Sequence, residues 1–277
     1  MNPTQCLREG FVEIREHLGR TLLQTLGVIL GVASVVATLG MTASMEARRQ
    51  QYFRESGGTL LMGVYNQPPA ELEMTARQRA KTGLKLRDAD DIRETIDGFD
   101  LVVAEIARSH RVRAGATEER YRITAIEPEF KQMRELKVGN GRYLTDHDME
   151  TAAAVAVLGS TRARELFGTA NPVGNAITIE GKAYTVVGVT DEMVFYWQRS
   201  DTWNAHEWLN RLIVVPITSY MKRHQEPGAE RIDELNLRLA SGEVHEESRD
   251  ALEQLLLARH GIEDFGVWDR KERIDQG

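Results

Sequence analysis

Residues 141–189 read GRYLTDHDMETAAAVAVLGSTRARELFGTANPVGNAITIEGKAYTVVGV, and the order of elements in this stretch decides the fold class. Ala153 to Leu158 is a short apolar run of strand length. Gly159-Ser160-Thr161 then starts a short helix over Arg162 to Phe167, which Gly168 stops. Asn171-Pro172 and Val173-Gly174 make turns, and Ala176 to Glu180 pairs with Ala183 to Val189 across Gly181-Lys182. Strand, helix and hairpin in such close succession predict an α+β fold.

The pattern extends in both directions. Upstream, Arg111-Val112-Arg113 and Tyr121 to Ala125 form a hairpin around Gly115, so residues 108–209 read as one strand-rich unit. Before that unit come a strand at Thr59 to Tyr65, a helix at Leu86 to Ile96 and a buried strand at Leu101 to Ile106. After it come strands at Leu212 to Val215 and Leu235 to Leu239, a helix at Val244 to His260 and a strand at Phe265 to Trp268. Two strand–helix–strand halves, 46–107 and 210–277, are thus expected to form one α+β subdomain into which 108–209 is inserted.

Charge is distributed unevenly. The 277 residues carry 35 Lys/Arg and 42 Asp/Glu, a net charge of −7, yet Thr21 to Met45 holds none of them. A helix of that length is about 37 Å long, enough to cross a hydrocarbon core of roughly 30 Å with some tilt. No second uncharged stretch approaches spanning length, so one membrane helix is expected over 21–45. A cleavable signal peptide is the rival reading, with Ala43 and Ser44 as small residues near the exit; the run is too long for that and 20 structured-looking residues precede it. Leu7, Phe11, Ile14, Leu18 and Leu22 recur at helical spacing, which predicts an amphipathic elbow helix over residues 1–20 leading into the span. Arginines flank both ends, so the charge rule leaves the orientation undecided.

Within the span, Gly27 and Gly31 form a GxxxG pair and Ala33 and Ala37 repeat the spacing. Such small residues let a second helix approach closely in lipid. Chance pairing of residues common in any span is the alternative. A mildly acidic chain without a Lys/Arg block argues against nucleic acid as the main partner. Cys6, the only cysteine, precedes the span, so the body has no disulfide and no thiolate metal site.

The landmarks of residues 141–189 are Gly141-Arg142, the VAVLGS strand-to-helix turn, Leu166-Phe167-Gly168, Asn171-Pro172-Val173-Gly174 and the VVGV strand ending. In that order and spacing the chain resembles MacB-type ABC transporter permeases in their periplasmic core domain. The elbow helix, the span and the closing EDFGVWDRKERI are similar to the family too. The resemblance implies a cytoplasmic N-terminus in the cell inner membrane and a periplasmic body made of a porter-like subdomain and an inserted one. It also implies an ABC ATPase subunit, a permease dimer partner and a periplasmic adaptor protein as partners. Such permeases continue into three more membrane helices of FtsX-like type, whereas this chain ends at Gly277, about where the second helix would begin. A fragment, one half of a split permease and a reduced relative all fit that ending. No GxxxxGK[ST] occurs, so ATP hydrolysis is not expected of this polypeptide; Gly168 to Gly174 is a near miss with the wrong spacing, followed by Asn175-Ala176.

Other chemistry is sparse. Asp88, Asp90 and Asp91 crowd the start of a helix, where the dipole favours acids, and Thr145 with Asp146 and Asp148 reads as a cap and helix start rather than a metal site. His206-Glu207 opens an HExxH-like string, but Asn210 stands where the second histidine belongs. Neither an enzyme, a cofactor nor a metal is expected. One feature stands apart from the resemblance: Phe195, Tyr196, Trp197, Trp203 and Trp208 lie close together with polar spacers. They are either buried core aromatics or a loop that presents aromatic anchors to a partner or an apolar substrate. The expected function is a non-catalytic permease-type component of an ABC export or mechanotransmission system. The alternative is a membrane-anchored periplasmic binding or adaptor module not coupled to transport.

Overall fold

A computed structural model describes residues 18–55, 58, 60–67, 82–197 and 202–270. Leu7, Phe11 and Ile14 of the expected elbow helix lie outside the described residues, as do Gln198 to Asp201 of the aromatic-rich stretch. The chain divides into two compact units, residues 1–52 and residues 53–277.

The first unit is built on α1 (Leu18–Glu55), a single helix of 38 residues and so about 57 Å long, which runs unbroken from the uncharged stretch into the polar one. Several hydroxyls that interrupt its apolar sequence are satisfied within the helix: Thr25 donates to the Thr21 carbonyl at 2.8 Å, Thr38 to Ser34 at 2.9 Å and Thr42 to Thr38 at 3.0 Å. Hydroxyls bonded back to the helix in this way suit a hydrocarbon surrounding. Leu22, Leu23, Val28, Ile29, Val36 and Leu39 all point outward and are exposed.

Among the described residues the second unit is built on a mixed sheet of ten strands. They are β1 (Leu61–Asn66), β2 (Phe99–Ala114), β3 (Thr117–Ile126), β4 (Val138–Gly141), β5 (Val155–Leu158), β6 (Ala176–Ile179), β7 (Lys182–Thr190), β8 (Ile213–Pro216), β9 (Glu234–Leu239) and β10 (Phe265–Asp269). Their order is β10-β1-β9-β2-β3-β8-β5-β7-β4, with β6 bridging β2 and β7. The pairs β3–β8 and β5–β7 are parallel and the rest antiparallel. Helices α2 (Leu86–Thr95), α3 (Phe130–Met133), α4 (Asp146–Glu150), α5 (Ser160–Phe167), α6 (Glu207–Asn210), α7 (Ile217–His224) and α8 (His245–His260) complete the unit.

Alternation along the strands makes two cores, one on each face of the sheet. Val102, Ala104 and Ile106 of β2, Ile213 and Val215 of β8, and Ala156 and Leu158 of β5 belong to the larger core. It is closed by Ala89 and Ile92 of α2, Leu166 of α5, Tyr220 of α7, and Leu252 and Leu256 of α8. The intervening Val103, Val214 and Val157 face the smaller core, with Phe130, Met133, Tyr143, Leu144 and Leu209.

The structure differs from the sequence reading at β2, β8 and α7. The runs around Leu101–Ile106 and Arg111–Arg113 are one sixteen-residue strand, β2, because Ser109 and His110 continue the ladder with β3 instead of breaking it. Strand β8, expected to belong with β9 and β10, is hydrogen-bonded between β3 and β5. Its neighbour α7 was not foreseen. Ile217, Tyr220 and His224 recur at helical spacing, but a run of eight residues with β-branched residues at its start is a weak signal.

Candidate interaction surface

The aromatic-rich stretch follows β7 and ends in α6. Two asparagines hold its backbone. The Oδ1 of Asn204 accepts from the N–H groups of Phe195 at 2.8 Å and His206 at 3.0 Å, and its Nδ2 donates to the Met193 carbonyl at 2.7 Å. Asn210 clamps the same residue from the other side: its Oδ1 accepts from Met193 N–H at 2.8 Å and its Nδ2 donates to Met193 O at 2.8 Å. Both asparagines are buried, so these bonds replace water for backbone groups that no strand partner serves.

On this scaffold the five aromatics separate. Phe195 is buried at 4% exposure, with Trp197 edge-on to it at 5.3 Å and the His206 ring at 5.8 Å. Tyr196, Trp203 and Trp208 face outward at 39%, 64% and 43% exposure, with Val194 beside them at 50%. Asn204, one of the polar spacers, and Asn210, which stands where an HExxH string has its second histidine, are both clamps. Two asparagines among aromatics signal a tightly turned backbone, and that signal was there to read.

A polar chain runs from this surface into the sheet. The Arg134 guanidinium lies 5.5 Å from the Trp208 ring centroid and 5.5 Å from that of Phe130. Its Nη2 donates to Asn236 Oδ1 at 3.0 Å, and Asn236 Nδ2 donates to Glu105 Oε2 at 2.9 Å. Burial pushes the Glu105 carboxyl above the usual range, and its cross-strand neighbour Glu234 adds to that. Trp268 Nε1 donates to Glu234 Oε1 at 2.6 Å.

The four small residues of α1 fall in two stripes. Gly27/Gly31 and Ala33/Ala37 each lie one turn apart, and the two pairs are roughly 120° apart about the helix axis. A side chain added at Gly27 or Gly31 would meet nothing within 4 Å.

The acidic groups weighed as ligands are engaged in the protein. Asp148 closes a capping box with Thr145, accepting its N–H at 2.9 Å, and pairs with both terminal nitrogens of Arg142 at 2.5 and 2.9 Å. Burial alone would raise its carboxyl; Arg142 and Thr145 hold it below the usual range. Among the described residues no group of three or more His, Cys, Asp or Glu is arranged to hold a metal ion.

Comparison with known proteins places these features in a family. The model of the MacB-like periplasmic core domain matches residues 21–255, which takes in both the span and most of the body. The chain is 27% identical to the macrolide export ATP-binding/permease protein MacB of Azoarcus sp. (strain BH72), over 98% of its own length and 39% of the relative's. It therefore spans about two fifths of that curated relative. Its fold is similar to that of the periplasmic region of MacB from Actinobacillus actinomycetemcomitans (TM-score 0.63, 19% identity, 81% of this chain and 94% of that one). It is similar as well to the extracellular domain of the noncanonic ABC-type transporter YknZ from Gram-positive bacteria (TM-score 0.60, 18% identity, 76% of this chain and all of that one). With helix and body matched together by one model, the chain belongs to the family of the MacB-like periplasmic core domain.

Proposed function

We propose that the chain is a non-catalytic, permease-type component of an ABC export or mechanotransmission system, anchored by α1 in the inner membrane. Its N-terminus is then cytoplasmic and its body periplasmic. The observation that carries this reading is the family match, which runs through the apolar helix into the body without a break. An isolated binding domain would not need a span as part of its family pattern. In this role motion of α1 is passed to the sheet it leads into, and an ABC ATPase subunit, a permease dimer partner and a periplasmic adaptor protein complete the assembly. Gly27, Gly31, Ala33 and Ala37 are the proposed helix-packing residues. Two stripes on different faces support contacts with two neighbouring helices rather than one. Tyr196, Trp203 and Trp208 are the proposed partner contacts, with Phe195 and Trp197 as their support; exposed aromatics on a clamped backbone bind at small entropic cost. The division of the body into 46–107 with 210–277, and an inserted 108–209, is proposed as well, with β2 shared between the two parts and β8 paired within the inserted one.

The test is affinity purification of the full chain from native membranes in mild detergent. Co-recovery of an ABC ATPase subunit, lost when Gly27 and Gly31 are both replaced by Leu, is the expected result. Recovery as a monomer with no ATPase would favour the uncoupled binding or adaptor module.

A further inference from the structure

A cleft of about 820 Å³ in the body is lined by none of the residues of the aromatic surface. Two sequence periodicities meet in it. Ile106, Arg108 and His110 project from the same side of β2, and Tyr220 and His224 are one turn apart on α7. The loop 225–231 forms the third wall, turning at Gly228 with φ +78°.

The floor is a layer of rings. His110 Nε2 lies 2.6 Å from the Tyr220 hydroxyl, and the His224 ring packs 4.9 Å from Tyr220 and 5.4 Å from His110. Tyr184 of β7 stacks on the far side of His224 at 6.1 Å, its hydroxyl 3.1 Å from His224 Nε2. That leaves His224 Nδ1 without a hydrogen-bond partner among the described residues.

The surrounding charge is mostly positive. Arg108 is paired with Asp233, whereas the exposed Arg231 guanidinium has no ion pair among the described residues. Glu226 also lines the cleft, and Lys85 lies next to Arg231, to which its backbone is bridged. Lys182 and Arg223 act on His224, and Arg120 and Arg108 act on His110; Glu180, 3.6 Å from His110 Nδ1, acts on both imidazoles in the opposite sense, and Asp233 acts on Tyr220. Burial, then Lys182, His110 and Arg223, push His224 down to about 4. Burial also holds His110 below the ordinary histidine range, against the pull of Glu180. The cleft is thus a ring-lined, electropositive recess in which burial and neighbouring cations disfavour charge on both imidazoles, and an anion seated there would relieve that repulsion.

We propose that this cleft binds a small organic anion, a carboxylate or phosphate monoester with a flat or apolar body, its charge beside Arg231 and its body against Tyr220 and His224. The site is independent of the partner contacts proposed above. Binding raises the proton affinity of the two imidazoles, so by linkage it takes up protons and tightens as pH falls.

The experiment is a titration of the full chain in detergent micelles with benzoate, phenyl phosphate and inorganic phosphate, read from the histidine ring protons by NMR. Saturable shifts confined to His110 and His224 are expected, stronger with phenyl phosphate than with inorganic phosphate. Affinity should rise about threefold or more between pH 7.5 and 5.5, and Arg231→Glu, an exposed position, should weaken it by roughly tenfold. No saturable shift with any of the three probes overturns the proposal. So does binding unchanged by Arg231→Glu, and a flat pH profile removes the anion from the imidazoles.

Discussion

At His260, two carboxylates meet one imidazole inside the body. Nδ1 lies 2.5 Å from Asp264 and Nε2 lies 3.4 Å from Asp88, all three residues being buried. Asp88 also accepts the Lys85 N–H at 2.7 Å, and Asp264 accepts the Gly83 N–H at 2.6 Å, so one cluster ties the start of α2 to the end of α8. Burial works against charge on His260, but its bonds to Asp88 and Asp264 outweigh that and raise it above 6.5. Asp88 is likewise pushed up by burial and brought below 3.8 by His260, Lys85 and Arg259. The His260 contribution is complete below 6.5 and lost as pH rises through the raised value. The Asp88 contribution is complete above 3.8 and lost as pH falls through the lowered one. Thermal melts should therefore show the cluster stabilising most between these limits. His260→Leu, which takes the shared imidazole from both carboxylates while Arg259 and the Lys85 N–H still hold Asp88, is expected to lower stability by about 1–3 kcal/mol, with the deficit shrinking above neutral pH.

The same scale separates clamp from contact in the aromatic surface. Asn204→Ala strands two N–H groups, and denaturant titration should show a loss of ~1–3 kcal/mol. Trp203→Ala should leave stability within about 0.5 kcal/mol while weakening capture of the proposed partner. Equal loss of stability in the two variants would return Trp203 to the core reading. At Gly159 an added Cβ would lie 2.3 Å from the Asn210 carbonyl oxygen, so the strand-to-helix turn and the clamp need glycine there for close approach.

Among the elements, α1 shows how much a one-dimensional pattern can reveal. Its span was legible because the absence of charge over that length is a property of consecutive residues. Its packing partners were not, because a stripe of small residues records only that something can come close. Gly27→Leu with Gly31→Leu should reduce α1 self-association or heteroassociation in bilayers, measured by energy transfer, with the thermal melt of the body unchanged. Loss of the body's melt as well would count against a packing role. The hairpins were legible too: Ala114 pairs with Thr117 around Gly115, and Ile179 pairs with Lys182 around Gly181. The joining of two expected runs into β2 was not, since His110 interrupts the apolar alternation and continues the strand only because β3 pairs with it. Helix α7 escaped for the opposite reason: its signal was periodic but short.

For the whole molecule, topology across the membrane is the testable consequence of the family reading. The native Cys6 and a cysteine introduced at Ala116, in the β2–β3 turn, should report on opposite sides. In intact cells whose outer membrane has been permeabilised, a membrane-impermeant maleimide is expected to label Ala116→Cys and spare Cys6. Labelling of Cys6 alone would invert the proposed orientation.

By itself the amino-acid sequence determined the α+β class, the uncharged span and the strand–helix–hairpin order of residues 141–189, for these depend on neighbours within a turn or a hairpin. Only the tertiary structure decided which aromatics turn inward, where β8 sits, and which polar groups meet. His110 and Tyr220 are 110 residues apart in sequence, and Asp88 and His260 are 172 apart. No local pattern records such meetings. They arise because the sheet brings distant strands and helices together, and burial then requires each polar group to find a partner there.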